Sequence, residues 1–345
     1  MGDPLKIQKQ GKVLSFGELL LRISPDEGGQ WLKDNTFPFY IAGAELNVAT
    51  ALALWGVPSK YITALPDNGM VHQIVDFLEK QNIDLSDVIY HGNRLGLYFL
   101  TKGKDLKNDA LIYDRAYSSF SELKPGMIDW DKHFEGVSWF HFSAICPAIN
   151  QNVADVCKEA LEIASRKNIT ISVDLNYRSK LWQYNKKPGE IMPGLVQYCD
   201  LIMGNVWAVE TMLGIPVRPD IHESGQKGIY LKEALKASEE LIKRYPKCKA
   251  VANTFRFDAQ KKVSYYAALY TGEEFYTSNE FGSTQIINKV GSGDCFMAGL
   301  IYGFYNDFDP DRVLEFATLA AFEKLFIESD TTNIPVEEIL AKLNS

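Results

Sequence analysis

The sequence predicts an α/β fold: parallel βαβ units in a sheet covered on both faces, with a small β layer inserted. Three observations predict it. Short apolar runs alternate with segments carrying apolar residues at helical spacing from Val13 to the carboxyl end. The alternation breaks at residues 92–116, where two apolar runs flank a polar turn. The 345 residues suffice for one large α/β domain with an appendage, or for two ordinary domains.

In chain order, residues 1–12 read as a flexible, polar and basic tail, and residues 13–345 as the α/β domain. Val13 to Phe16 is a short apolar run ending at Gly17, as a buried strand would. Leu20 to Tyr40 scatters its apolar residues among Pro25, Gly28, Gly29 and Pro38, which suits exposed strands better than a helix. Glu45 to Trp55 is rich in Ala and Leu and stops at Gly56 and Pro58, so it reads as a buried helix. Tyr61 to Ala64 is a strand and Val71 to Gln81 a helix. Leu95 to Leu100 and Ala110 to Tyr113 form a hairpin about Lys102 to Asp109. With residues 20–40, residues 92–116 therefore make a small β layer. The βα rhythm resumes with strands Val137 to Phe142, Ile169 to Val173, Leu201 to Met203 and Ala250 to Asn253. Helices are Asn152 to Lys167, Leu231 to Arg244, Cys295 to Tyr305 and Pro310 to Phe326. Parallel units of this kind imply ligands at the carboxyl ends of the strands.

Composition excludes several functions. With a net charge of -8 the chain lacks the surplus of Lys and Arg that nucleic acid demands. No apolar run reaches the ~18 residues of a membrane span, and the amino terminus has no apolar core for a signal peptide. The five cysteines, Cys146, Cys157, Cys199, Cys248 and Cys295, include no Cys-x-x-Cys pair, which fits a reducing, cytoplasmic location. His72, His91, His133, His141 and His222 show no metal-ligand spacing and read as structural. Neither a P-loop nor a Gly-x-Gly-x-x-Gly dinucleotide fingerprint is present.

The stretch Gly291-Ser292-Gly293-Asp294 before an apolar helix carries the most chemistry. Glycines allow a tight turn that gathers several N–H groups, and the helix terminus adds positive potential, together making an anion site. An Asp there can take a proton from a hydroxyl while the amides hold developing negative charge. The same residues would also serve as a plain helix cap. Arg115, closing the hairpin, and Arg178, closing Asp174-Leu175-Asn176-Tyr177-Arg178 after a strand, suit a carboxylate or a phosphate, or are solvated charges with packed stems. Ala42-Gly43-Ala44-Glu45-Leu46-Asn47 opens a helix; Gly43 allows close backbone approach and Asn47 can bond hydroxyls, unless this is an ordinary junction.

These stretches, in this order, resemble the ribokinase-like (PfkB-type) carbohydrate kinases over nearly the whole chain. Within that family the 2-keto-3-deoxygluconate kinases are most similar, through Gly92 to Phe99, Ile112 to Ala116, Trp139 to Ser143 and Asp174 to Trp182. The resemblance implies a doubly wound, mostly parallel sheet with helices on both faces and a β lid inserted from about residues 20–40 and 92–116. That lid often serves as a homodimer interface. It implies an ATP:sugar phosphotransferase acting on a terminal hydroxyl, with Asp294 as general base and Gly291, Ser292 and Gly293 as anion hole. Gly43, Ala44, Asn47, Tyr98, Tyr113, Arg115, Arg178 and Asp330 would hold the sugar acid. Asn176, Asn205, Thr254 and Arg256 would line the ATP side, with Mg2+ bridging the phosphates.

The chain departs from the family pattern at four places. Ala42-Gly43 replaces a paired glycine, Ala208 the acidic residue of Asn-x-x-Glu, Asn288 an Asp before the anion hole, and Ser329-Asp330 a Gly-Asp pair. A kinase for fructose or tagatose, and a sugar-acid-binding regulator with weak catalysis, are the other readings these departures permit.

Overall fold

A computed structural model describes residues 11–25, 36–101, 111–221, 225–259 and 262–344. Nearly all of the expected tail, the hairpin turn Lys102 to Asp109, and His222 lie outside the described residues. The strands in chain order are β1 (Lys12–Phe16), β2 (Leu20–Ile23), β3 (Phe39–Ala42), β4 (Ser59–Ile62), β5 (Ala64–Leu65), β6 (Ile83–Asp84), β7 (Ile89–Tyr90), β8 (Gly96–Phe99), β9 (Ile112–Asp114), β10 (Val137–Ser143), β11 (Thr170–Asp174), β12 (Leu201–Met203), β13 (Ala250–Ala259), β14 (Lys262–Tyr270), β15 (Phe275–Thr277) and β16 (Phe281–Ser283).

Ten of these form one sheet in the order β15-β14-β13-β12-β11-β10-β1-β4-β6, with β16 also on β14. Pairing is parallel from β13 through to β6 and antiparallel among β13 to β16. The chain first winds outward from β1 to β4 and β6, then returns to lay β10 on the other side of β1. The order therefore reverses between β1 and β10, and a crevice opens at their carboxyl ends.

Helices cover both faces. On one lie α1 (Ala44–Leu54), α9 (Ser292–Tyr305) and α10 (Pro310–Glu323), packed with Val13, Trp139, Leu201, Met203 and Ala252. On the other, α5 (Gln151–Arg166) and α6 (Pro188–Val196) pack with Leu14, Phe16, Phe140, Phe142, Ile171 and Val173. Successive strand residues thus serve opposite cores, which is why these strands read as continuous apolar runs. No helix among the described residues is long and apolar enough to cross a membrane, and all five cysteines are free and buried.

β2, β3, β8 and β9 form a separate four-stranded sheet in the order β3-β2-β8-β9, and β8 and β9 are the antiparallel pair expected from sequence. Its register sorts its two faces. Arg22 stands opposite both Tyr40 and Tyr98, and Tyr98 opposite Tyr113. The alternate row is Ile23, Phe39, Phe99 and Ile112, with Phe39 58% and Ile112 54% exposed.

Of the expected boundaries that move, two border the site. The helix expected from Cys295 begins at Ser292, because Gly291 takes a left-handed cap conformation (φ 79°) and starts the helix three residues earlier. The strand expected to end at Asn253 runs to Ala259: Thr254, Arg256 and Asp258 alternate with Phe255 and Phe257 as β13 turns back onto β14. A half-polar antiparallel extension carries a weaker apolar signal than the buried parallel part.

Candidate active site

The site is built at the carboxyl ends of β1, β10 and β11, where the amino termini of α1 and α9 meet. Gly291 opens α9 against the loop after α10, where a Cβ would collide with the Asp330 carbonyl oxygen. The amide of Cys295 makes the first helical bond, to the Gly291 carbonyl (2.9 Å). The N–H groups of Ser292, Gly293 and Asp294 precede it and have no helical acceptor, so they point a cluster of donors and the positive end of the helix at one spot. Asp294 is buried in that first turn, and its Oδ2 accepts from Asn47 Nδ2 at 2.6 Å. Asn47 is placed by α1, whose cap Gly43 lets the chain pass the Glu18 carbonyl, 2.5 Å from where a Cβ would lie (φ 155°). Asn47 Oδ1 is itself buried with no hydrogen-bond partner among the described residues.

Three carboxyls share this crevice. Burial pushes Asp294 up to about 8, helped by the neighbouring Asp174 and opposed by the Asn47 bond and by Arg178. Burial likewise raises Asp174, at the end of β11, to about 7, against the pull of Arg178. Glu45 is raised by burial as well, despite accepting from the Ser143 amide (3.0 Å), Ser143 Oγ (2.5 Å) and Cys146 Sγ (3.2 Å). Arg178 is half-buried and acts electrostatically on both Asp174 and Asp294; its Nη1 donates to the Tyr177 carbonyl at 3.1 Å.

The inner face of the small sheet adds a polar row. Arg22 Nε donates to Asp330 Oδ1 (2.7 Å), Tyr98 donates its hydroxyl to Asp330 Oδ2 (2.5 Å), and the Arg22 guanidinium lies 4.0 Å from the Tyr40 ring centre. Arg115 gives Nε and Nη2 to Glu18 Oε2, each at 2.5 Å, while Ser118 Oγ donates to Glu18 Oε1. Tyr113 packs beside Tyr98 and Arg115. Of the two arginines expected to hold an organic acid, Arg115 is paired with Glu18, and Arg178 is half-buried with no ion pair among the described residues. Asp330 is likewise closed by Arg22 and Tyr98, so its carboxylate ties the small sheet to the loop under Gly291.

On the other side of Asp294, the Asn176 amide bonds Asp174 Oδ1 (3.0 Å), and Thr254 and Arg256 stand half-buried on β13. Asn205 caps α7 (Val206–Leu213), its Oδ1 accepting from the Ala208 amide at 2.9 Å. Glu210, two positions beyond Ala208, is turned away to the Val217 amide and does not replace the missing acid. Among the described residues no group of three or more His, Cys, Asp or Glu is arranged to hold a metal. Asp174 is the buried carboxylate on this side and makes no ion pair among the described residues, a donor that fits a hard cation carried in with phosphate oxygens. His141, buried against Ser172 Oγ, is held neutral by burial, its value pushed down to about 3, and does not enter the crevice chemistry.

The family model for the pfkB carbohydrate kinases matches residues 10–337. The chain belongs to the pfkB family of carbohydrate kinases. It is a sugar phosphotransferase of the ribokinase-like fold, with 2-dehydro-3-deoxygluconokinases as structural neighbours. The crystal structure of 2-dehydro-3-deoxygluconokinase from Thermotoga maritima superposes with a TM-score of 0.87 at 32% identity, over 97% of this chain and 100% of that one. A 2-dehydro-3-deoxygalactonokinase from Haloferax volcanii is 30% identical over 171 residues, 50% of this chain and 54% of that protein. A 5-dehydro-2-deoxygluconokinase from Geobacillus kaustophilus is 24% identical over 321 residues, 92% of this chain and 89% of that protein.

Sequence reasoning about this kinase missed Glu18, Arg22, Glu45 and Asp174 as individual contributors. Glu18 and Asp174 follow strand ends, the positions where the sequence places ligands, which singles them out without giving either a role. Arg22 lay in a stretch read only as exposed β, and its partner is 308 residues away.

Proposed function

We propose that this pfkB kinase transfers a phosphoryl group from ATP to the terminal hydroxyl of 2-keto-3-deoxygluconate, with Asp294 as general base. The observation that carries the reading is that the buried Asp294 carboxyl, held by Asn47, stands in the first turn of α9, whose Ser292, Gly293 and Asp294 amides have no helical acceptor. A carboxyl raised toward neutral pH is matched to accept a hydroxyl proton as the oxygen attacks phosphorus. The amides then hold the negative charge on the transferring phosphoryl group. Arg178 supplies a planar fork for the sugar carboxylate, and Asn47 Oδ1 accepts from a sugar hydroxyl. Gly43, Ala44, Tyr98 and Tyr113 close the sugar side, with Arg115 and Asp330 acting through their partners Glu18, Arg22 and Tyr98. Asn176, Asn205, Thr254 and Arg256 line the nucleotide side. Asp174 would help to hold Mg2+, which would neutralise phosphate charge when bound. The enzyme works in the cytoplasm as a homodimer joined through the small sheet.

Coupled ADP release with magnesium, with and without millimolar 2-keto-3-deoxygluconate, tests the reading; no sugar-dependent turnover removes it. The closed Arg115–Glu18 pair favours a second reading, a less acidic sugar such as fructose or tagatose, which higher kcat/KM in a sugar panel would select. Thermal stabilisation by the sugar acid without phosphorylated product would instead mark a regulator.

A further inference from the structure

Lys324 follows α10 and is fully buried, among the largest side chains to be so. Its Nζ donates to the Ile327 carbonyl at 3.3 Å, and it makes no ion pair among the described residues. Both oxygens of nearby Asp330 already serve Arg22 and Tyr98. Replacing a buried ion by an apolar side chain of similar volume is often neutral or stabilising, so fold stability does not explain an ammonium here.

Its position does. The Lys324 Cε lies 3.3 Å from where a Cβ on Gly291 would be, directly behind the turn that opens α9. That turn rests on the segment containing Lys324. The amides of Ile287 and Asn288 bond the Leu325 carbonyl (2.9 and 3.1 Å), and Asn288 Nδ2 bonds the Glu328 carbonyl (2.7 Å). Ser292 Oγ bonds the Ala321 carbonyl (2.9 Å) and Cys295 Sγ the Ala320 carbonyl (3.3 Å).

We propose that Lys324 is a positioning residue for phosphoryl transfer. Its ammonium, sealed behind Gly291, braces the Asn288–Gly291 turn and adds positive charge behind the amides of Ser292, Gly293 and Asp294. The inference rests on the reading of those amides as the phosphate cradle. A fixed charge in a water-excluded setting acts on developing charge without reorganising. Burial pushes the ammonium down to about 8, while Asp330 holds it up, Arg22 opposes, and Asp294 supports it weakly. Of these groups Arg22 stays charged and Asp330 is paired, and burial keeps the Cys295 thiol neutral to about 12. Lys324 therefore loses its proton near pH 8, and Asp294 shapes the acid side.

The test is steady-state kinetics of Lys324→Met, which removes the charge and keeps the bulk. The expected result is a kcat ~10–100-fold lower, below the ~10²–10³-fold effect of a direct donor, with KM for the sugar within about threefold. The wild-type fall in kcat as pH rises through about 8 should vanish in this variant. In Lys324→Ala, propylammonium should restore turnover and propanol should not. A Lys324→Met kcat within twofold of wild type with its alkaline limb intact overturns the proposal. If Lys324→Met does not fold, a wild-type kcat flat from pH 7 to 9.5, or equal rescue of Lys324→Ala by propanol, overturns it instead. Asp294→Asn separates the two ideas. If that variant is inactive while Lys324→Met is normal, the reading of Asp294 as the base stands and only Lys324 falls; if it turns over normally, the proposed reading of this site itself fails.

Discussion

Asn47 Nδ2 lies 2.6 Å from Asp294 Oδ2, joining the first turns of two helices that are 247 residues apart in sequence. The bond occupies Oδ2 and leaves Oδ1 to meet a hydroxyl. Asp294→Asn should lower kcat by ~10²–10⁴-fold, the range of general-base contributions, with ligand binding retained. Coupled ADP release and calorimetric titration of the sugar check both halves.

The same carboxyl makes a stability prediction. Its folded value is raised to about 8 from an ordinary 3.8, so protons favour the native state. That contribution is fully present below about pH 4 and is lost as pH rises toward 8. At pH 8 the native protein therefore carries a buried charge that Asn does not. Asp294→Asn should melt at least about 2 °C above wild type at pH 8, and this gain should shrink toward pH 5. Scanning calorimetry at the two pH values decides it.

The charge of Asp174 helps to raise Asp294, so the proton on one carboxyl depends on the state of the other. Asp174→Asn should move the acid limb of the kcat/KM profile to lower pH. An unmoved limb would separate the two carboxyls.

Arg22 and Asp330 form an ion pair at 2.7 Å with both side chains buried. Removing one partner strands a buried charge, so Arg22→Met should cost about 3–5 kcal/mol of stability. Adding Asp330→Asn should recover most of it. Urea unfolding of both single variants and the double variant measures the coupling.

The two arginines should behave differently. Arg178→Ala should raise KM for the sugar acid at least tenfold while sparing its fold, the loss of a charged hydrogen bond of ~1.5–3 kcal/mol. Arg115→Ala leaves Glu18 buried without its cation and should lower the melting temperature first. Kinetics alongside thermal melts separate the cases.

Phe39 and Ile112 are exposed on the outer row of the small sheet. If that face joins two copies, Phe39→Asp with Ile112→Asp should give monomers by light scattering at micromolar concentration. A wild type that is already monomeric would dispose of the dimer.

The parallel strands and their flanking helices were legible because burial on both faces writes them as apolar runs, and Gly291 to Asp294 was legible because an amide-rich turn needs glycine at fixed places. The inserted sheet was legible as an interruption. Its inner and outer faces were not, since pairing of β2 with both β3 and β8 assigns Arg22 to one side and Ile23 to the other. Likewise no spacing in the chain announces that Glu18 will neutralise Arg115, that Arg22 will close Asp330, or that Lys324 will sit behind Gly291. Local pattern reports which residues are buried and where the backbone must turn. Which charge meets which is settled only when segments hundreds of residues apart share one dry crevice, where an ion must find its partner or shift its proton.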